Sequence, residues 1–192
     1  MKRTTRFEPH SVVHERRADG SLLLQSTKQL GSVVNTSSDW LHKWSSESPS
    51  RVFIAERSGA GWREESYIAT LEKVRAIAQS LLSRGMGPNT PILIMSGNGV
   101  DHGLLTLAAH YIGVPTAPIA EQYGLIPAAQ ERLEHAISLV KPHMAYVSDA
   151  DQFAHALKIE ALENVELVAS RVVGRKGLTD MASLLRGDTS VD

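Results

Sequence analysis

The sequence contains no cysteine in its 192 residues. This absence excludes disulfide bonds, thiolate metal ligands and a cysteine nucleophile, and it fits a reducing cytoplasm. An excess of one charge is also missing, because 20 Lys and Arg residues balance 21 Asp and Glu residues to a net charge of -1. No apolar run approaches the roughly 20 residues of a membrane span, and the first ten residues lack the apolar core of a secretory signal. We therefore expect a cytoplasmic protein that binds neither nucleic acid nor a membrane.

The N-terminal part is predicted to be a polar arm followed by short elements. Residues 1–19 are polar and charged, which favours a flexible arm. Asp19 and Gly20 form a turn before a predicted strand at residues 21–26. Residues 36–39 then cap a helix that carries Trp40 and Trp44 on one face, where we expect both rings to pack rather than to form a ligand cage.

From residue 51 onward, predicted strands and helices alternate. The predicted strands are residues 51–56, 91–95, 114–119, 144–147 and 165–169. The predicted helices are residues 67–84 with Ser66 as N-cap, 100–112, one that Pro127 opens, and one from Asp149 through Leu162. This alternation predicts an α/β fold in which a mostly parallel sheet has helices on both faces. We assign residues 20–188 to this domain and residues 189–192 to a truncated end.

The glycine turn within residues 91–103 is the most suggestive local motif. A strand, a glycine turn and a helix can present backbone N–H groups to an anion. Gly97 and Gly99 match the first two glycines of the dinucleotide pattern G-x-G-x-x-G, but His102 stands at the third position. Glu121 lies roughly where a ribose-binding acid would lie. A nicotinamide-binding module therefore stays open, although an ordinary strand-to-helix turn fits the same residues.

Other catalytic patterns are not found in the sequence. The phosphate-loop pattern G-x-x-x-x-G-K-[ST] does not occur, and the basic turn at residues 174–177 lacks its spacing. His10 and His14 are four residues apart without a marked third ligand, so we expect no metal site. Ser96 is not in a G-x-S-x-G elbow. The residues alone therefore predict an α/β domain that binds a small molecule, and they assign no catalytic residue.

Several segments resemble, in their order and spacing, the opening of adenylate-forming acyl-CoA synthetases. The segments are residues 39–44 (DWLHKW), 48–57 (SPSRVFIAER), 61–67 (GWREESY), 74–88 (VRAIAQSLLSRGMGP) and 91–118. The S-G-N turn, the stretch AAHYIGVPTAPI and the later Tyr123-Gly124-Leu125 are most similar to bacterial feruloyl-CoA synthetases. The resemblance implies the N-terminal portion of the AMP-binding large domain of an ATP-dependent aryl-acid CoA ligase.

The resemblance also implies a chemistry and a set of ligands. The full-length enzyme would use ATP, Mg²⁺ and CoA to convert a small aryl or acyl carboxylate through an acyl-adenylate. The family's phosphate loop and catalytic lysine are not in this chain, so the resemblance implies a fragment that is inactive alone and needs no cofactor by itself. Asn98, His102 and Tyr123 are the candidate substrate-binding residues. Asp101 stands where the family often has Glu, and Glu121 begins a loop that departs from the family's wording, so the resemblance does not fix the specificity.

Two other functions stay open beside the ligase. One is the nicotinamide-dinucleotide-binding module that uses Gly97 and Gly99. The other is a truncated relative that binds a partner through the surface that a missing half would cover. That uncovered surface is the candidate for dimerisation.

Overall fold

The apolar run that ends at Met95 forms a strand inside a parallel sheet. The computed structural model describes residues 9–172 and 174–191. All four side chains of this strand, Ile92–Met95, are buried. Parallel partners flank it on both sides, as expected for a wholly apolar strand.

The chain divides into two units between Asn35 and Thr36. The first unit contains an antiparallel hairpin of β1 (Val12–Arg16) and β2 (Leu22–Ser26). The predicted strand at residues 21–26 is thus confirmed, whereas β1 lies in the segment that the sequence indicated as an arm. Residues 1–8 of that arm and Asp192 of the predicted end lie outside the described residues.

The second unit holds a hairpin and a five-stranded sheet. The hairpin pairs β3 (Val52–Ser58) with β4 (Gly61–Ser66) in antiparallel register. The sheet strands are β5 (Ile92–Met95), β6 (Thr116–Pro118), β7 (Met144–Asp149), β8 (Glu166–Arg171) and β9 (Thr179–Asp180). Their order is β6-β5-β7-β8-β9, and every neighbouring pair is parallel.

The helices begin and end near the residues that the capping patterns indicate. They are α1 (Ser37–Glu47), α2 (Tyr67–Ser83), α3 (Val100–Tyr111), α4 (Gln122–Leu125), α5 (Gln130–Val140) and α6 (Met181–Leu184). Ser66 caps α2, because its Oγ accepts a hydrogen bond from the backbone N–H of Ala69 at 3.3 Å. The helix α3 is followed by Gly113, whose φ of 73° only glycine adopts without strain.

The strands bury opposite faces against two separate apolar clusters. In β5, Ile92 and Ile94 contact the first cluster, which α1, α2, α3 and α6 complete. Leu93 and Met95 contact the second cluster, which α5 and the segment after β7 complete. This period of two confirms an α/β fold with a parallel sheet covered on both faces.

One predicted helix is replaced by shorter segments. The sequence indicated a helix from Asp149 through Leu162, but the chain forms turns and two short 3₁₀ segments, Ala156–Lys158 and Glu160–Leu162. The buried apolar residues there recur every three positions, at Phe153, Ala156, Ile159 and Leu162. A period of three suits 3₁₀ turns better than an α-helix, whose period is 3.6. Asp149 Oδ1 accepts from the backbone N–H of Asp151 at 2.8 Å, as an N-cap would, but it closes a turn and the predicted helix does not follow.

Candidate functional site

The direction of the chain connections changes between β5 and β7. The chain leaves β5 through α3, on the first face, and reaches β6 on one side. It leaves β7 over the second face and reaches β8 on the other side. In open parallel sheets, this divergence opens a crevice at the carboxyl ends of the two strands, where ligands bind.

A cavity of about 510 Å³ lies at this position. We call it the switch-point cleft. Its wall comes from the turn after β5 and the start of α3 (residues 96–99, 101 and 102), from the hairpin (Glu56, Arg57, Arg63), from Glu121, and from the ends of β7 and β8 (Tyr146, Ser148, Ser170, Arg171). Most of these side chains are polar or charged. The cleft can therefore bind a polar small molecule.

A chain of hydrogen bonds joins the hairpin to the sheet below the cleft. Arg63 donates to Glu56 Oε1 at 3.0 Å and to Asp101 Oδ1 at 2.6 Å. Ser170 Oγ donates to the other oxygen of Asp101 at 2.6 Å. Because the Ser170 proton is used there, the hydroxyl of Tyr146 donates to Ser170 Oγ at 2.7 Å. Five elements, β3, β4, α3, β7 and β8, are thus held together by one connected network.

Ionisation in this network follows from its contacts. The hydrogen bond from Arg63 to Asp101 raises the pKa of Arg63, which keeps the guanidinium charged. Burial raises the pKa of the Tyr146 hydroxyl to about 12. Tyr146 therefore stays a neutral donor throughout the physiological range.

The N-terminus of α3 is occupied by a protein carboxylate. The backbone N–H of Val100 donates to Glu56 Oε2 at 2.8 Å, and a Cβ atom on Gly99 would lie 2.9 Å from the same oxygen. A phosphate at this position would have to displace Glu56. The geometry therefore gives no support to the dinucleotide alternative built on Gly97 and Gly99.

Two contacts of Nδ1 position the ring of His102. This atom lies 3.1 Å from the carbonyl oxygen of Gly97 and 3.2 Å from Ser96 Oγ. The carbonyl oxygen only accepts, whereas the hydroxyl of Ser96 can accept from the ring or donate to it. The Nε2 atom has no partner among the residues that the structure describes.

An apolar groove of about 590 Å³ adjoins the cleft. Its own wall consists of Phe53, Ile54 and Ala55 of β3 and Gly103, Thr106 and Leu107 of α3. Gly103 allows this close contact, because a Cβ atom there would lie 2.6 Å from Ile54 Cδ1. Asn98 and His102 line both cavities. A ligand with an apolar part and a polar part could therefore span the boundary between them.

The structure brings two of the three predicted site residues together. Asn98 and His102 share the turn at the start of α3 and face the same space. Tyr123 lies in α4, packs against the second apolar cluster and has the Arg132 guanidinium 5.9 Å from its ring. It is not in the wall of either cavity among the described residues. A substrate-binding role for the three stays a prediction.

Sequence reasoning did not find the residues of the hydrogen-bond chain. Glu56 and Arg63 are directly opposite each other in the hairpin of β3 and β4. Oppositely charged residues in two strands that form a hairpin were the sequence signal from which this pair could have been predicted. Nothing local indicates that Asp101 and Ser170, 69 residues apart, share a hydrogen bond.

The described residues form neither a cluster of metal ligands nor a membrane-spanning helix. Within residues 9–172 and 174–191, no three His, Asp or Glu side chains converge as a metal site requires. The helices of the same ranges are too short or too polar to cross a bilayer.

The fold is an α/β domain with a polar cleft at the carboxyl edge of its sheet, and comparisons with known proteins identify its family. The model of the AMP-binding enzyme family matches residues 41–189. The chain therefore belongs to the AMP-binding enzyme family.

Individual relatives are more distant. Luciferin 4-monooxygenase of Photuris pensylvanica is 28% identical over 93 residues, which are 48% of this chain and 16% of that protein. The acetoacetyl-CoA synthetase of Streptomyces lividans superposes with a TM-score of 0.67 at 14% identity, covering 80% of this chain and 25% of that one. A fatty acyl-adenylate ligase of Legionella pneumophila, solved with acyl adenylate and pyrophosphate, gives 0.57 at 17% identity, with 68% and 22% covered. The chain thus spans a quarter or less of the length of these relatives.

Proposed function

We propose that this chain is the N-terminal α/β part of an ATP-dependent aryl-acid CoA ligase that acts through an acyl-adenylate. The proposed substrate is ferulate or a related hydroxycinnamate. The observation that carries the proposal is the family match, which spans the whole parallel sheet and the cleft at its carboxyl edge. The feruloyl assignment rests on the resemblance of the S-G-N turn and the segment around Tyr123 to feruloyl-CoA synthetases.

The proposed reaction has two steps. The carboxylate attacks the α-phosphorus of ATP and releases pyrophosphate, and the CoA thiol then displaces AMP. The phosphate loop and the catalytic lysine of the family are not in this sequence. We propose that the groups that hold the triphosphate and the metal lie in a part of the enzyme outside these 192 residues.

Within this chain, the proposed contribution is to position the acid. Asn98 and His102 lie where the apolar groove meets the polar cleft. The Nε2 of His102 can form one hydrogen bond with the acid, and the Asn98 amide can donate one to its carboxylate. Tyr123 would act from α4.

Acid-dependent exchange of pyrophosphate into ATP tests the proposal. The 192-residue chain and the product of the coding sequence read beyond Asp192 would be compared with ferulate, benzoate and a fatty acid. We expect no exchange by the 192-residue chain and ferulate-dependent exchange by the longer product. A longer product without acid-dependent exchange would remove the ligase assignment. Exchange with fatty acids alone would leave the ligase and remove the aryl specificity.

His102→Ala in the longer product tests the positioning role. If His102 contacts the acid, the KM for ferulate should rise while the KM for ATP stays constant. His110→Ala is the matched control, because His110 is an exposed histidine of the same helix that bonds Thr116 at its far end. Unchanged constants for His102→Ala would take this residue out of the site.

A further inference from the structure

The charged side chains of the switch-point cleft fall into a paired and an unpaired set. Arg63 bonds both Glu56 and Asp101, and Arg171 bonds Asp149 at 2.9 Å. Two charged wall residues are left, Arg57 and Glu121. Within the described part of the chain, neither side chain forms a hydrogen bond or an ion pair. The cleft therefore offers one cation and one anion that are not used by the fold.

Glu121 lies against the turn that follows β5. A Cβ atom on Gly97 would lie only 2.8 Å from Glu121 Oε2, so a side chain at residue 97 would displace the carboxylate from its present position. The residue is half-buried. A partly desolvated carboxylate without donors is unfavourable, and a donor supplied by a ligand would remove that cost. A hydroxyl group is such a donor and carries no charge that the cleft would have to balance.

Arg57 is oriented by an aromatic ring. Its guanidinium carbon lies 4.3 Å from the centroid of Trp62, across the hairpin pair that joins the two residues. Stacking of this kind uses the face of the guanidinium and leaves the N–H groups at its edge free for an anion. Because Glu56 already occupies the N-terminus of α3, Arg57 is the unpaired positive group available to an acid in the cleft.

We propose that Glu121 and Arg57 are ligand-binding residues and that the cleft recognises a small acid that also carries a hydroxyl group. Arg57 donates to the acidic group, and the Glu121 carboxylate accepts from the hydroxyl. The inference rests on the proposed ligase function only for the identity of the acid. Two sources share the required chemistry, a hydroxylated aryl acid and the phosphate and ribose of a nucleoside monophosphate.

Titration calorimetry with matched probes on the 192-residue chain distinguishes these sources. The first pair is 4-hydroxycinnamate and cinnamate, and the second is AMP and its 2′,3′-dideoxy analogue. If Glu121 accepts from the hydroxyl of one source, the hydroxylated probe of that pair should bind about tenfold more tightly than its partner, as a hydrogen bond to a charged group predicts. Binding that shows no hydroxyl preference in either pair would overturn the proposal.

Variants then assign the preference to residues. Glu121→Gln and Glu121→Ala should abolish the preference and leave the affinity of the deoxy probe nearly unchanged. Arg57→Gln should weaken both members of a pair by the same factor, which we expect to be about tenfold. Glu72→Gln on the exposed face of α2 and Arg51→Gln beside β3 are the matched controls and should change nothing.

The outcomes separate this inference from the ligase proposal. A preference that survives Glu121→Ala would overturn the role of Glu121, whatever reaction the longer protein catalyses. A preference that disappears in Glu121→Ala would support it, even if the longer protein shows no pyrophosphate exchange. Circular dichroism of each variant verifies that the fold is retained, and an intact spectrum with lost preference is the expected result.

Discussion

Replacing Arg63 by Met should destabilise the second unit by about 2 kcal/mol, between the value of an exposed ion pair and that of a fully buried one. The change removes the guanidinium and keeps much of its apolar stem. It leaves Glu56 and Asp101 as facing carboxylates, and the Asp101 side chain is only 14% exposed. Arg63 itself is 35% exposed, so solvent screens part of its charge and the value for a buried pair has to be discounted.

Urea denaturation followed by circular dichroism measures this effect. With a slope of about 2 kcal/mol per molar urea, the midpoint should fall by about 1 M. Arg175→Met is the matched control. Arg175 also lies 2.9 Å from a carboxylate, but its partner Asp151 is 47% exposed. That variant should change the stability by about 0.5 kcal/mol or less.

A double-mutant cycle decides whether the loss comes from the network. Because Asp101→Asn removes one of the two unpaired charges, the double variant Arg63→Met/Asp101→Asn should be less destabilised than the sum of the single variants. Strictly additive effects would refute the reasoning. A midpoint for Arg63→Met that equals the Arg175→Met control would refute it as well.

Three further predictions follow from burial and close packing. Because burial raises the pKa of Tyr146 from 10.0 to about 12, the native state holds this proton more tightly than the unfolded state does. The free energy of unfolding should therefore fall by about 2–3 kcal/mol as the pH rises from 10 to 12. In Tyr146→Phe, the urea midpoint should depend less on pH over this range. A Cβ atom on Gly187 would lie 2.4 Å from the backbone oxygen of Ala76, whereas nothing lies within 4 Å of a Cβ atom on Gly87. Gly187→Ala should therefore lower the free energy of unfolding by about 1–3 kcal/mol, and Gly87→Ala should not. Equal urea midpoints for the two variants would contradict this prediction. Leu104→Ala in the first apolar cluster should lower the free energy of unfolding by about 3–5 kcal/mol. Leu139 is 70% exposed, so Leu139→Ala should lower it by well under 1 kcal/mol. Thermal or urea unfolding of both variants measures the difference.

The elements that the sequence predicts well are those whose signals are local. The Ser66 cap and the apolar spacing of three and four fix α2 to within one residue of its observed end. The apolar run at residues 91–95 predicts a buried strand, and β5 is found there. In both places, propensity, capping and burial indicate the same structure, so tertiary contacts do not have to override them.

The segment after β7 shows how a local signal can mislead. The capping geometry of Asp149 is present, and it suggested a regular helix. The buried residues from Phe153 to Leu162 are spaced by three, which suits 3₁₀ turns. Leu157, four residues after Phe153, is apolar as well and fits an α-helix, so the sequence alone did not separate the two periods.

The candidate site was predictable only in part. The glycine turn pointed to Asn98 and His102, since a strand that leads into a helix exposes its connecting residues at the sheet edge. Glu56, Arg63 and Ser170 come from three other elements. Their meeting depends on the register of the hairpin and on the strand order, which one sequence does not determine.

The position of Glu56 changes how the cleft must attract an acid. A free helix N-terminus would offer an anion about half a positive charge together with unpaired N–H groups. Here the Glu56 carboxylate takes the Val100 N–H, and Arg63 is shared between two carboxylates. The attraction then depends on a single stacked guanidinium at Arg57 that is exposed to solvent. Because exposed charges are screened by salt, the affinity for any acid should fall with ionic strength. A helix terminus shielded within the fold would give a weaker dependence, so the salt dependence of binding distinguishes the two sources of attraction.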